Sequence, residues 1–530
     1  MSEALRSVDR DSADHGPPVL LRGARIVDAG AGTSQARSGP ARSGNPVDLR
    51  IVAGRVAAVG PRLTAEPGDD LVPLDGRWVV PGLWDAHTHM TQWALARRRL
   101  DVSAATSATH AARLVTERLR ADPPPAGLPL IGFGFRDGLW ADEPTARLLD
   151  DAADAAHRPD VPVVLVSGDL HCGWLSTAAA RSFGIAAGPG PQPDGSGLVR
   201  ERPWFVVIDR LGEAPGDVLD GWVAEAVAAA AARGVVGVVD FEAAGGIDVW
   251  ARRSAGRPLG VRVQAAVWPA GLEAIVARGV RSGDVVPGTA GLVTMGSLKI
   301  ITDGSLNTRT ACCADPYPGL TGPGATGVLS VPPDELRALM SRAGRAGLTC
   351  AVHAIGDRAN ALALDAFAST GARGSVEHAQ LLAPQDVGRM AALGVVASVQ
   401  PEHALDDRDV ADRYWAGRTD RAFMFRSLHE AGVRLALGSD APVAPLDPWR
   451  AIGAAVERTR DARPAWHPEQ RIPVGVALEA STGGRSVVAV GDLADLAVLD
   501  ADPLTRHGAD LWTMPVAATM LDGRWTHRTA

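Results

Sequence analysis

The sequence predicts a parallel (β/α)8 TIM barrel that carries a small β domain assembled from both chain ends and a large insertion after the first barrel strand. Three observations predict it. Short β-rich runs alternate with Ala-rich helical stretches through the middle of the chain, which is the signature of a parallel sheet covered by helices. Eight such runs occur, the number at which a barrel closes. Similar strands appear near both termini, so the ends are expected to meet. The length of 530 residues agrees, since at about 150 residues per domain it suits one large barrel with accessory parts.

Residues 1–16 are polar, lack the apolar core of a secretory signal and are expected to be disordered. Strands are expected at Val19–Val27, Val47–Val52, Arg55–Val59 and Leu71–Leu74, with a Gly/Ser/Ala/Arg-rich loop over Ala29–Asn45. Asp495–Leu499 and Val516–Met520, before the Asp522-Gly523 turn, complete the terminal domain, bounded at 17–80 plus 484–530. The barrel is expected over 81–483. Its strands are Trp78–Asp85, Val235–Asp240, Val261–Val267, Gly296–Ile301, Thr349–His353, Gly374–His378, Val395–Gln400 and Arg434–Gly438, and helices such as Pro333–Ala346, Arg358–Thr370 and Pro384–Ala392 lie between them. Residues 91–233 form the insertion, expected on the catalytic rim. No GxGxxG follows an early strand, which argues against a doubly wound dinucleotide fold.

Composition narrows the function. With 46% hydrophobic and 22% charged residues the chain is an ordinary globular protein. A net charge of −8 argues against nucleic acid as a partner, because phosphate contacts need a basic surface. The most apolar stretch, Trp222–Phe241, contains Glu225, Arg233 and glycines and reads as a helix running into a strand, so no membrane partner is expected. Four cysteines without CxxC spacing suit a reducing cytoplasm. A homo-oligomer is compatible with all of this.

The chemistry sits at strand ends. His87 and His89, in WDAHTHM, are two apart and share a strand face with Asp85. His353 ends the fifth strand, His378 the sixth, and Asp440 follows the eighth in LALGSDAP. A lone histidine at a strand end is commonly a satisfied polar group, but barrel enzymes build their sites from the C-terminal ends of strands. Lys299, in the fourth strand, is the only lysine of the chain; all other Lys/Arg positions are arginine. The two cations differ where an amine must lose its proton, so this exception is informative.

This pattern resembles the amidohydrolase superfamily of metal-dependent hydrolases. More narrowly, VVPGLWDAHTHM, GFGFRDGLW, GDLHCGWLS, LKIITDGSLNTRTA, VHAIGDRAN, SVEHAQLL, SVQPEHALDD and ALGSDAPV resemble the third amidohydrolase family, the N-substituted formamide deformylase-like and YtcJ-like proteins. The resemblance implies that the terminal domain is a β-sandwich and that the site holds one or two divalent metals, most often zinc. It implies that His87 and His89 bind one metal together with Asp440, that His353 and His378 bind the other, and that Lys299 is carbamylated by CO2 and bridges them. An amine can become a carbamate with hard anionic oxygens, whereas a guanidinium cannot. Metal-activated hydroxide would then cleave a non-peptide C–N bond of a small amide, formamide or cyclic amide, with Asp440 as the proton shuttle.

Further candidates lie around this set. His171 and Trp174 are expected to contact substrate, with a buried Trp capped by a His as the competing reading. Asp303 and Arg309 follow the fourth strand, and Arg309 is a candidate to orient a substrate carboxylate or carbonyl or else to pair with an acidic neighbour. Gln400 and His403, after the seventh strand, are weaker, and Asp357 is a candidate to orient an imidazole. Phe133, Phe135, Trp140 and Trp174 are expected to give the site an apolar roof and hence a neutral substrate. One departure from the family pattern is the short return after Ala480-Ser481-Thr482 to Ala494-Asp495-Leu496. Two alternatives stand beside hydrolysis of an amide: a mononuclear deaminase, which needs no lysine on the fourth strand, and a barrel that binds without catalysis.

Overall fold

The computed structural model describes residues 16–30, 45–135, 137, 140–167, 172–185, 197–200, 204, 207, 211, 214–243 and 245–529. Residues 1–15, most of the Ala29–Asn45 loop and His171 lie outside these. The chain divides into two compact units, Met1–Trp93 with Ala224–Ala530, and Ala94–Val223.

The first unit contains the barrel. Its strands are β1 Leu83–Thr88, β2 Val235–Asp240, β3 Arg262–Val267, β4 Val293–Ile301, β5 Cys350–Ala354, β6 Gly374–His378, β7 Val396–Val399 and β8 Leu435–Leu437. Each pairs in parallel with the next in that order. The sequences are short runs of Val, Ile, Leu and Ala because helices cover the outer face while the barrel interior fills the other. Val238, Val263, Val352 and Val376 are all buried. Helices Pro333–Arg345, Asp357–Thr370 and Pro384–Leu393 alternate with the later strands. Trp222–Phe241 spans the end of helix Gly216–Ala231 and β2. Among the described residues no helix is long and apolar enough to cross a membrane.

The barrel is nearly closed at the β8–β1 seam. The Asp440 amide donates to the His87 carbonyl (2.8 Å), the His89 amide donates to the Ala441 carbonyl (2.9 Å), and Thr88 bridges Ala441. Asp85 bolts this seam, with one carboxylate oxygen accepting from the His87 amide (3.1 Å) and the Ser439 amide (2.9 Å). Burial pushes its carboxyl up to about 6.

The two chain ends do meet. They form one eight-stranded mixed sheet in the order Arg524–Arg528, Val516–Leu521, Leu496–Leu499, Trp78–Pro81, Val19–Ile26, Val47–Val52, Arg55–Gly60, with Asp70–Pro73 paired to Val19–Ile26. Leu21, Ile51, Val79, Val498 and Met520 share its core. The expected first barrel strand is thereby corrected, because Trp78–Asp85 is two strands. Trp78–Pro81 pairs with Leu496–Leu499, and the chain enters the barrel only after Gly82. A Cβ at Gly82 would stand 2.4 Å from a Val236 methyl, so glycine lets the chain pass between sheets. The short return after Thr482 is fixed as well. Arg262 at the start of β3 reaches Asp495 (2.6 and 3.1 Å) and Asp522 (2.9 Å), two buried carboxylates of the terminal sheet.

The second unit has its own five-stranded sheet, built from Leu100–Asp101, Leu130–Phe135, Val163–Ser167, Cys172–Leu175 and Leu198–Arg200. Helix Ala108–Ala121, capped by the Ser107 hydroxyl on the His110 amide, and helix Ala146–Ala155 pack on a core that includes Phe135, Leu149, Leu165 and Trp174.

Candidate metal centre

The ends of β1, β4, β5, β6 and β8 bring six predicted residues to one place. His87 is the penultimate residue of β1 and His89 lies just beyond that strand. Lys299 lies in β4, His353 in β5 and His378 at the end of β6. Asp440 follows β8. His378 and Asp440 both have positive φ, +74° and +57°. Backbone in that region is uncommon for a non-glycine residue and turns these side chains out of the regular strand alternation.

Contacts within the group are short. His87 Nε2 is 3.6 Å from Asp440 Oδ1, and His89 Nε2 is 3.4 Å from the same oxygen. Lys299 Nζ lies 3.3 Å from His87 Nε2 and 4.4 Å from the centre of the Phe241 ring. The His378 ring is centred 4.9 Å from that of His87 and 4.5 Å from that of His353. His353 Nε2 also stands 3.4 Å from Asp303 Oδ1. His87, His378 and Asp440 each offer a donor atom, all within 4.8 Å of one another.

Electrostatics suit a divalent cation. His87 donates from Nδ1 to Glu377 Oε2 at 2.6 Å, which leaves the Nε2 lone pair facing the cluster. Burial, then Lys299, lowers His87 to about 4, so the imidazole is neutral near pH 7. Burial and neighbouring His353 hold His378 well below the usual imidazole value. Burial alone would raise Asp440, but the imidazoles around it, His87 first, keep it well below the usual carboxylate range. Burial also lowers the Lys299 ammonium. Two neutral imidazoles and an anionic carboxylate form a nitrogen/oxygen donor set that divalent zinc accepts. Nδ1 of both His89 and His378 is buried without a hydrogen-bond partner.

Other candidates fall in different places. Trp174, expected to contact substrate, is fully buried; its indole N–H donates to the Thr145 carbonyl (2.9 Å), and its ring packs on Phe135 and Trp140. It is a core residue of its unit, and Phe135 and Trp140 meet its ring edge-on. Arg309 is exposed in the loop after β4, stacked over Tyr414 at 5.3 Å. Asp357 does not orient an imidazole: it accepts from the Ala314 amide (2.8 Å) and faces Arg421 (3.3 Å). The carboxylate beside His353 is Asp303, which also accepts from the amides of Cys312, Ile355 and Gly356. Gln400 donates to the Ser398 carbonyl. His403, rated weak from sequence, is buried 4.0 Å from Asp440 Oδ2.

Glu377 escaped the sequence reading. Strand alternation puts neighbours on opposite faces, so by that rule a site containing His378 excludes the residue before it. The positive φ of His378 overrides that rule. The available signal was an acidic residue inside the buried run SVEH.

A sequence model of the amidohydrolase family matches residues 70–527. The chain is 28% identical to YtcJ of Bacillus subtilis (strain 168), over 86% of this chain and 90% of that protein. It is 25% identical to the N-substituted formamide deformylase of Arthrobacter pascens, over 95% of this chain and 98% of that one. An uncharacterized metal-dependent hydrolase from Pyrococcus furiosus has the same fold, with a TM-score of 0.74 and 24% identity, covering 92% of this chain and all of that one.

Proposed function

The chain belongs to the amidohydrolase family of metal-dependent hydrolases, and on that premise we propose that it cleaves a non-peptide carbon–nitrogen bond of an amide, formamide or cyclic amide. The observation that carries this reading is the convergence of His87, His378 and Asp440, with His89 and Lys299 against them, at the strand ends of one barrel. The match to a formamide deformylase over nearly the whole length of both chains supports the bond type.

His87, His89, His378 and Asp440 would hold one or two divalent ions, most readily zinc, with Lys299 and His353 adjoining. When bound, such an ion polarises the substrate carbonyl and lowers the pKa of water to about 7. The remaining work belongs to the chain. Glu377 fixes the His87 tautomer through the Nδ1 hydrogen bond. Asp440, whose carboxyl is held well below the usual carboxylate range, takes the proton of the attacking water at a carboxylate oxygen and passes it to the leaving nitrogen. Lys299 is buried and its ammonium destabilised, the condition under which its amine adds CO2 to give a carbamate. The lysine in this position disfavours the mononuclear deaminase alternative.

The sheet formed by both ends would be the small β-sandwich domain, and the second unit the insertion that follows the first barrel strand in sequence. A screen of N-formyl and N-acyl amines with the zinc-loaded protein tests the function. Release of formate or acid is the expected result; turnover confined to deamination would replace this reading with the alternative.

A further inference from the structure

His403 opens the short helix His403–Asp406 that follows β7, and it is only 6% exposed. Its ring lies nearly parallel to that of His378, with centroids 6.1 Å and planes 12° apart. Nε2 stands 4.0 Å from Asp440 Oδ2, too far for a hydrogen bond, and this buried nitrogen has no hydrogen-bond partner. A buried polar atom left unpaired inside a reaction site points to a group that pairs with it when ligand binds.

Which nitrogen carries the proton follows from the other side of the ring. The Gln380 amide nitrogen lies 3.4 Å from His403 Nδ1. In the amide orientation that sets this nitrogen against the ring, which leaves Gln380 Oε1 unpaired, Nδ1 accepts and the ring proton sits on Nε2. That proton occupies the lone pair a metal would need, so in this tautomer His403 is a donor beside the metal site and not a ligand in it.

The ring is also held in advance. Glu402, the preceding residue, is 3% exposed, and Arg450 grips its carboxylate through three contacts of 2.7–3.1 Å. The His403 amide donates to the Gln400 carbonyl at 3.1 Å. A donor fixed before substrate arrives loses little on binding, which is the requirement for stabilising charge that develops during a reaction.

We propose that His403 binds the substrate directly, its Nε2–H donating to the oxygen of the carbonyl whose C–N bond is cut, on the Asp440 side of the site. This rests on the hydrolytic reading above. As negative charge grows on that oxygen the hydrogen bond becomes charge-assisted, so its contribution is larger in the transition state than in the bound substrate. His403 is thereby a catalytic residue that neither binds metal nor carries the proton of the attacking water.

Three variants separate this role from packing and from ligation. His403→Phe keeps the ring and its stack on His378 but removes the donor. His403→Asn keeps a polar group near Nδ1 and removes Nε2. His403→Gln restores an N–H near the Nε2 position. Each is prepared zinc-loaded, and metal content, steady-state kinetics on an N-formyl amine and calorimetric binding of methylphosphonate, a tetrahedral oxyanion, are measured. The expected result is unchanged metal content in all three, kcat lowered about 100- to 1000-fold with little change in KM in the Phe and Asn variants, and partial recovery in Gln. Methylphosphonate binding should weaken in the same order. If wild type hydrolyses no amide, the functional reading fails, while phosphonate binding still reports on His403. Loss of metal from the Phe and Asn variants would make His403 a ligand and overturn the proposal. So would phosphonate binding that is absent from wild type or equal in all variants.

Discussion

His87 meets two partners of opposite kind: Nδ1 donates to Glu377 at 2.6 Å while Nε2 lies 3.3 Å from the Lys299 amine. The carboxylate therefore decides which nitrogen of His87 is free. Glu377→Gln keeps the size and one acceptor but removes the charge. Zinc affinity, measured by competition with a chelator, should fall about 10- to 100-fold; wild-type affinity would mean that the His87 tautomer does not depend on Glu377. Lys299 makes a sharper case, since Lys299→Arg retains a cation that cannot form a carbamate. Turnover should be lost, and native mass spectrometry should find one CO2 on the wild type, released by acid, and none on the variant. Full activity in the arginine variant would reduce Lys299 to an ordinary cation. The lysine was legible because it is alone among arginines. Glu377 was hidden by the alternation rule, and His403 was underrated because nothing in SVQPEH says that its ring returns to Asp440.

At the scale of elements, the seam between β8 and β1 places Asp440 against His87 and His89. Gly438 makes that approach possible: a Cβ there would stand 2.6 Å from the His87 nitrogen, 2.8 Å from the His87 Cβ and 3.1 Å from Asp85 Oδ1. Backbone at such distances cannot yield as a flexible side chain can. Gly438→Ala should cost about 1–3 kcal/mol of stability, read as a lowered melting temperature, with weakened zinc binding. A variant as stable and as tightly metallated as wild type would show that the seam is loose. The barrel strands were legible from their alternation with helices, and Val235–Asp240 and Gly374–His378 carry the same bounds in sequence and structure. The first strand was not, because Trp78–Asp85 is one apolar run by composition. The pairing of Trp78–Pro81 with Leu496–Leu499 and the fit of Gly82 against Val236 show where one sheet ends and the next begins.

For the molecule as a whole, the aromatic residues of the Ala94–Val223 unit bear on substrate choice. Composition predicts an apolar roof, and Phe135, Trp140 and Trp174 pack tilted or edge-on against one another inside that unit. Periodicity tells buried from exposed; it does not tell which cavity a buried ring faces. A neutral substrate is the one proposed. Arg309, exposed over Tyr414, stands against it, since a guanidinium binds a carboxylate in bidentate fashion. Rates on an N-benzyl formamide and an N-acyl amino acid, compared in wild type and Arg309→Ala, decide between them. The formamide should be preferred and the variant should leave that preference unchanged; an acyl amino acid preference lost in the variant would reverse the substrate class.

Whether metal held at the strand ends of the barrel makes this chain a C–N hydrolase is tested most directly by formate release from N-benzyl formamide by chelator-stripped protein as zinc is added back stepwise. The expected result is no turnover in the stripped protein and recovery that saturates by about two equivalents of zinc. Undiminished turnover in protein shown to hold no metal would contradict it.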